Sequence, residues 1–280
     1  MRIETPEPDV LVFRGDAYES VATAFLHGSQ ALLVDTLASA ADAERMRRHL
    51  EIDFGVRVRA IVMTHYMSDH MAGLRQFPHA PILAHRHYMH TYLSQRQRSA
   101  EDDRAFVAPT VEIGDHLAFA WGPHALEIFH NPGKTMCTLA VDAPGSDLLL
   151  CGDTVVGHTA YISNAAPEMI DAAIARLQRC GRRRLIPGHM GVLPAAALAN
   201  ARVYLGRLRE RVRAARRDGG DAQAIAAIRI EDCVAAEVAP TAFEREWHGR
   251  NLEVIAERRL FAFDAPTRHP ATAAFAEAEA

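Results

Sequence analysis

The densest chemistry in this chain lies in Thr64-His65-Tyr66-Met67-Ser68-Asp69-His70, where two imidazoles and a carboxylate share one short stretch. Neutral imidazole and carboxylate are the donor types that suit Zn²⁺ or another borderline divalent ion. The apolar run Ala60-Ile61-Val62-Met63 directly upstream reads as a buried strand that delivers the chain into this stretch. Neighbouring side chains on a regular strand face opposite sides, so Asp69 and His70 can share a metal only from a tight turn.

Such a turn needs a frame. Short β segments at Val10–Phe13, Val21–Leu26 and Ala31–Val34 are separated by the turn signals Gly15-Asp16 and Gly28-Ser29. Ser39 and Asp42 open an amphipathic helix that continues from Ala43 to Leu50. After the histidine-rich stretch come a strand at Pro81–Ala84, a helical or irregular segment to about Gln97, and a second β run. That run comprises Leu117–Trp121, Leu126–Phe129, Thr138–Val141 and Leu148–Cys151; a helix (Ala172–Cys180), the strand Arg184–Ile186 and the turn Pro187-Gly188-His189 follow. Two β-rich halves, each ending in helices, predict an α+β chain in which two sheets stack between outer helices, a four-layer αββα sandwich. From Pro194 onward the pattern is helical: Ala195–Arg217, a Gly219-Gly220 break, Ala222–Ile230 and Ala242–Phe261. We read residues 1–193 as the sandwich, 194–263 as a helical extension packed on it, and 264–280 as a flexible tail.

Five landmarks in order carry a family resemblance. They are Asp35-Thr36 after an apolar strand, the loop His65–His70, Asn131-Pro132-Gly133-Lys134-Thr135, Leu149-Leu150-Cys151-Gly152-Asp153, and Pro187-Gly188-His189. Over roughly Val10 to Gly191 they resemble the metallo-β-lactamase superfamily, whose signature is H-x-H-x-D-H followed by P-G-H-T, Gly-Asp and P-G-H turns. Met67 stands where the middle histidine of the first motif belongs, and Lys134 replaces the histidine of the second.

The resemblance implies two metal positions. The first would use His65, Met67 and Lys134, of which only His65 is an ordinary zinc ligand; a thioether is soft, and a protonated amine has no lone pair and repels a cation. We expect that position to hold no ion. The second would use Asp69, His70, Asp153 and His189, all present, so a mononuclear site is expected, with Zn²⁺ as the leading ion and Fe or Mn as alternatives. Lys134 would then supply part of the missing charge, as an oxyanion stabiliser or, with a lowered pKa, as an acid or base. His65 becomes a general base or a partner of the attacking water, Asp69 belongs to the catalytic set as well as the ligand set, and Met67 fills the vacated volume.

The other histidines carry less. His79, His85, His87 and His90 form a run in which His87 and His90 could share a helix face, and a His-rich surface is the preferred reading. His130 and His158 are pocket candidates without a role, and Trp247 and His248 are packing or substrate-side residues. Cys151 shares the strand of Asp153 and reads as an inert buried thiol.

Bulk properties narrow the field. The 280 residues are 49% hydrophobic and 24% charged with net charge −4, which fits a globular protein and gives no electrostatic case for nucleic acid. The four cysteines show no C-x-x-C pair, the N-terminus shows no leader, and no apolar run could cross a bilayer, so a cytoplasmic location with reduced thiols and no membrane partner is expected. The leading expectation is a metal-dependent hydrolase acting on an ester, lactone, thioester, amide or activated carbon–halogen centre of a small substrate, anionic ones included, with a homodimer among the partners to test. β-Lactams are not expected without export, nor is a redox iron protein like the superfamily's di-iron branch, which needs two filled sites and is opposed by Lys134. The alternative is a metal-free member that binds a small anion or regulates.

Overall fold

A computed structural model describes residues 1–95, 100–162, 165–217 and 222–262. The predicted Gly219-Gly220 break and the tail from Asp264 lie outside the described residues.

Among the described residues thirteen strands make two sheets, one of seven and one of six. The first runs in chain order: β1 (Arg2–Glu7), β2 (Val10–Arg14), β3 (Val21–His27), β4 (Gln30–Val34), β5 (Arg57–Val62), β6 (Ile82–His85) and β7 (Val111–Ile113). Its first four strands pair antiparallel, and β4 through β7 pair parallel. In the second sheet β8 (His116–Trp121), β9 (His124–His130), β10 (Leu139–Ala143) and β11 (Leu148–Gly152) are antiparallel neighbours. The parallel strand β12 (Arg184–Pro187) and the short β13 (Leu193–Pro194) complete it.

The side chains of these strands divide between two cores with period two. Val10, Val12, Leu32, Val34 and Val62 meet Leu126, Ile128, Val141, Leu148 and Leu150 between the sheets. Their neighbours Leu11, Phe13, Leu33 and Ile61 turn outward onto Met46 and Leu50, and Leu149 and Cys151 turn onto Ile170, Ile174 and Leu177. Strands buried on both faces therefore read as continuous apolar runs, because helices cover each sheet. On the first sheet lie α1 (Ala40–Arg48), the single turn α2 (Ser68–Met71), α3 (Tyr88–Leu93) and α4 (Ala100–Ala105). On the second lie α5 (Pro167–Arg179), α6 (Ala196–Arg217), α7 (Ala222–Ala226) and α8 (Ala242–Glu257). The expected mixed fold, with two stacked sheets and outer helices, is the observed one.

Three details differ from the sequence reading. The edge strands β1 and β7 escaped it: both carry acidic residues and little apolar alternation, and pairing with a neighbour defines them. Helix α5 begins at Pro167, five residues ahead of the expected Ala172, because proline suits a first helical turn whose N–H would be unpaired anyway. Asp69 and His70 sit on the helical turn α2, not in an irregular loop. Ser39 does cap α1, its hydroxyl accepting the Asp42 N–H at 3.0 Å.

The helical end is tied to the second sheet's loops by buried polar contacts. Glu244 accepts the His158 N–H at 2.7 Å and closes a capping box with Thr241. Asn251 accepts the Ile162 N–H at 2.6 Å and donates to the Ala160 carbonyl at 2.8 Å. These bonds fix the segment that follows Asp153. Among the described residues no helix is long and apolar enough to cross a membrane.

Candidate metal centre

Every candidate ligand follows the carboxyl end of a strand along one rim of the sandwich: His65 and α2 after β5, Lys134 after β9, Asp153 after β11, His189 after β12. Open sheets concentrate sites at such rims, where strand ends supply rigid anchors and loops supply the side chains. The two sheets are stitched together there. Leu139 N–H donates to the Thr64 carbonyl at 2.7 Å and Val21 N–H to the Gly188 carbonyl at 2.8 Å, while within the second sheet Gly188 N–H donates to the Gly152 carbonyl at 2.8 Å. Gly188 must lack a side chain, since a Cβ there would stand 2.0 Å from Asp153 Oδ1 and 2.7 Å from His70 Cε1.

Asp69, His70, Asp153 and His189 each turn one donor atom into a common volume, all within 4.8 Å of one another. The separations are 3.1 Å for His70 Nε2 to Asp153 Oδ1, 3.3 Å for His189 Nε2 to Asp153 Oδ1, 3.4 Å for His189 Nε2 to Asp69 Oδ2, and 3.8 Å for His70 Nε2 to Asp69 Oδ2. Donors about 2.1 Å from a tetrahedral ion lie about 3.4 Å apart, so the cluster has the size of a coordination shell. His70 Nε2, His189 Nε2 and Asp153 Oδ1 are buried and have no hydrogen-bond partner among the described residues. Buried polar atoms are costly in that state, and an ion would satisfy all of them at once. The outer faces of the rings are held: His189 Nδ1–H donates to the Tyr18 carbonyl at 2.7 Å, which leaves Nε2 with its lone pair, and His70 Nδ1 lies 3.5 Å from Asp35 Oδ2.

Asp153 has a second face. Its Oδ2 pairs with the Lys134 ammonium and lies 3.4 Å from His65 Nε2. Lys134 is 1% exposed, so the turn buries its charge against a carboxylate. Burial alone would lower its pKa, but the charges of Asp153 and Asp69 outweigh that and raise it. The expectation of a lowered, titrating lysine is therefore corrected: Lys134 is a fixed cation. His65 is the opposite case, because burial outweighs Asp153 and holds its pKa down, keeping it neutral. Its tautomer follows from a relay. Thr64 Oγ1–H donates to Asp35 Oδ2 at 2.7 Å, so Thr64 Oγ1 accepts from His65 Nδ1–H at 2.9 Å, and His65 Nε2 carries the lone pair. Asp35 sits at φ 59° to make this reach.

Without a cation the two carboxylates draw protons onto the imidazoles. Burial opposes this, yet Asp153 and Asp69 raise His70 well above its ordinary value, and Asp153 raises His189 to about 9. A histidine raised in the folded state stabilises the fold fully below its unfolded value of about 6.5 and loses that contribution as pH rises through the folded value. Metal-stripped protein is therefore expected to lose several degrees of Tm between about pH 6.5 and 9, and metal-loaded protein is not, because the ion takes the protons' place. Melts in chelator and in metal across that window check it; a flat profile for stripped protein contradicts the arrangement.

A second group, His85, Asp115 and His130, also gathers donors within 4.8 Å. It is a poor metal site. The His85 and His130 rings stack at 3.8 Å with only 13° between planes, so their in-plane lone pairs run side by side instead of converging. His130 Nε2–H donates to the Met136 carbonyl at 2.7 Å and thereby braces the turn that carries Lys134. His79 and His90 lie outside this group, His158 Nδ1 bonds Asn200 at 2.9 Å, and His248 joins Tyr204 at 2.9 Å in the helical layer. Cys151 is fully buried, and burial pushes its thiol well up, so it is inert. A concavity of about 450 Å³ between α5 and α6 is lined by none of the candidate ligands.

Three aromatic side chains neighbour the centre, and sequence reasoning missed two of them, Tyr161 and Phe243. Phe243 and Trp247 lie 5.3 and 5.9 Å from the His189 ring, and Lys134 Nζ lies 4.9 Å over Tyr161. Trp247 stood among the packing or substrate-side residues, but nothing in the local sequence marks Tyr161 or Phe243, since tertiary contacts alone bring them here.

Comparison with known proteins agrees with this geometry. Residues 15–191 match the family model described as the metallo-beta-lactamase superfamily, and the chain belongs to that superfamily, whose members generally bind metal ions, usually zinc. A metallo-beta-lactamase from Pontibacter korlensis superposes with a TM-score of 0.60 at 20% identity, over 71% of this chain and 95% of its own. The stereoselective inverting sec-alkylsulfatase Pisa1 from Pseudomonas sp. gives 0.65 at 19% identity, over 94% of this chain; the chain spans half of that protein's length. DIM-1 metallo-beta-lactamase gives 0.58 at 19% identity, over 71% of this chain and 94% of its own. No curated protein matches the chain.

Proposed function

We propose that the chain is a metal-dependent hydrolase with a mononuclear centre, in which Asp69, His70, Asp153 and His189 hold one divalent ion, zinc first among candidates, and Lys134 takes the place of a second. The observation that carries this reading is the two-faced Asp153 carboxylate, with Oδ1 toward the two unpartnered nitrogens His70 Nε2 and His189 Nε2 and Oδ2 on a buried ammonium. A bound divalent ion supplies a Lewis acid and an acidified water. The chain's own groups supply the rest. His65, neutral with its Nε2 lone pair buried and free of hydrogen bonds, accepts a proton at that atom. Lys134 has two N–H donors beyond the one spent on Asp153, and they oppose negative charge developing on a substrate oxygen. Asp69, 14% exposed, is the ligand nearest the opening and orients the attacking water. Structural neighbours that hydrolyse β-lactams or alkyl sulfates by name support hydrolysis as the reaction class. The substrate class we propose is a small, anionic ester, lactone, thioester, amide or activated carbon–halogen compound.

A metal-free anion binder fits less well, because the charge it would use is already paired with Asp153. Elemental analysis separates the two readings: one equivalent of metal per chain, lost in Asp69→Ala or His189→Ala, supports the hydrolase, and none supports the binder. Lys134→Ala is expected to lower turnover about 10- to 1,000-fold while the ion stays bound. Unchanged turnover would remove Lys134 from the mechanism.

A further inference from the structure

The centre is nearly sealed: His65, His70 and His189 are 0% exposed, and Lys134 and Asp153 are 1% exposed. Part of the seal is aromatic. Phe243 and Trp247 are four positions apart on α8, share a helix face, and both approach the His189 ring. Tyr161 meets Trp247 at 4.3 Å and 66°, Phe243 meets Trp247 at 5.6 Å and 69°, and Tyr161 covers the Lys134 ammonium. Asn251 fixes the chain on either side of Tyr161 through Ala160 and Ile162, and the Arg250 guanidinium lies 4.2 Å over the Trp247 ring. These rings form a rigid wall, and Tyr161 and Phe243 stay only half-buried within it.

The wall has a feature that packing does not require. Trp247 is 4% exposed, yet its Nε1–H is buried and meets no acceptor among the described residues. A phenylalanine would pack at that position without leaving a donor unpaired, so the indole is a donor in reserve beside the centre.

We infer that Tyr161, Phe243 and Trp247 form the substrate subsite of this centre, and that it takes a planar aromatic group, the aryl moiety of the substrate, with Trp247 Nε1–H donating to a substrate oxygen. Tyr161 and Phe243 are the rings of this wall that keep exposed surface, and an aryl group gains more from such rings than an alkyl group of equal area. The inference rests on the hydrolase reading for the subsite's place beside a reacting centre, and its ring chemistry can be tested apart from turnover.

The test is calorimetric titration of the metal-loaded protein with benzoate and with cyclohexanecarboxylate, which share a carboxylate and differ in planarity. Benzoate is expected to bind about tenfold tighter. Phe243→Leu and Tyr161→Leu, which keep apolar bulk and lose a ring, should bring the two acids within about twofold of each other without changing metal content. Trp247→Phe should keep the aryl preference and weaken both acids. Equal binding of the acids by the parent protein, no binding of either, or a preference that survives both leucine variants overturns the subsite; wild-type affinity in Trp247→Phe overturns the donor. An aryl preference with no hydrolysis of any aryl ester supports the subsite and sinks the hydrolase reading. Ester hydrolysis without aryl preference does the reverse.

Discussion

Asp153→Ala is expected to abolish metal binding and to destabilise the fold by about 3–5 kcal/mol, because it strands the buried Lys134 ammonium without the carboxylate it pairs with. Hydrolytic activity should fall at least about 1,000-fold, the several kcal/mol that an ion contributes to a charged transition state. The two effects have separate causes and can be separated. Adding Lys134→Met removes the stranded charge and refills its volume, so the double variant should recover most of the lost stability while binding no metal. Denaturant melts and elemental analysis of the two variants decide the matter. If the single variant is as stable as the parent, the buried ion pair does not exist in solution. If the double variant regains metal, Asp153 is not a ligand.

This coupling shows why part of the centre was legible in the sequence and part was not. His65, Asp69 and His70 announce themselves because metal donors crowd one short stretch, and a strand-to-turn transition is visible around them. Asp153 and His189 stand alone in sequence. They became candidates only because Gly152-Asp153 and Pro187-Gly188-His189 fell in the order of a known pattern, and the geometry places their donors beside His70. For Lys134, residue type alone could not decide between an exposed turn residue and a buried cation. Burial beside Asp153 does, and it also reverses the expected direction of its pKa. The sheets were legible where both faces are apolar, as in β3, β4 and β11, and illegible at the edges, where β1 and β7 owe their form to a neighbour's hydrogen bonds. The Asp35–Thr64–His65 relay was out of reach, because it depends on a left-handed backbone at Asp35 that no residue type demands.

If Met67 and Lys134 stand at two ligand positions of the first metal, as proposed, their replacement should be reversible. Met67→His combined with Lys134→His is expected to raise metal content from one towards two ions per chain. His65 already turns an unpartnered Nε2 toward the volume where Lys134 ends, and Asp153 Oδ2 would lose its ammonium and be free to ligate. The swap also changes the energetics. In the parent, Asp153 keeps a permanent counter-ion whatever the metal supply. In the double variant that charge arrives only with the second ion, so a buried carboxylate is left partly uncompensated when metal is scarce. Thermal stability should therefore become more steeply dependent on free metal concentration, rising as each site fills in proportion to the logarithm of its occupancy ratio. Elemental analysis and melts across a metal titration give the two readouts together. A variant that folds, holds one ion and melts like the parent at every metal concentration would show that Met67 and Lys134 do not occupy ligand positions.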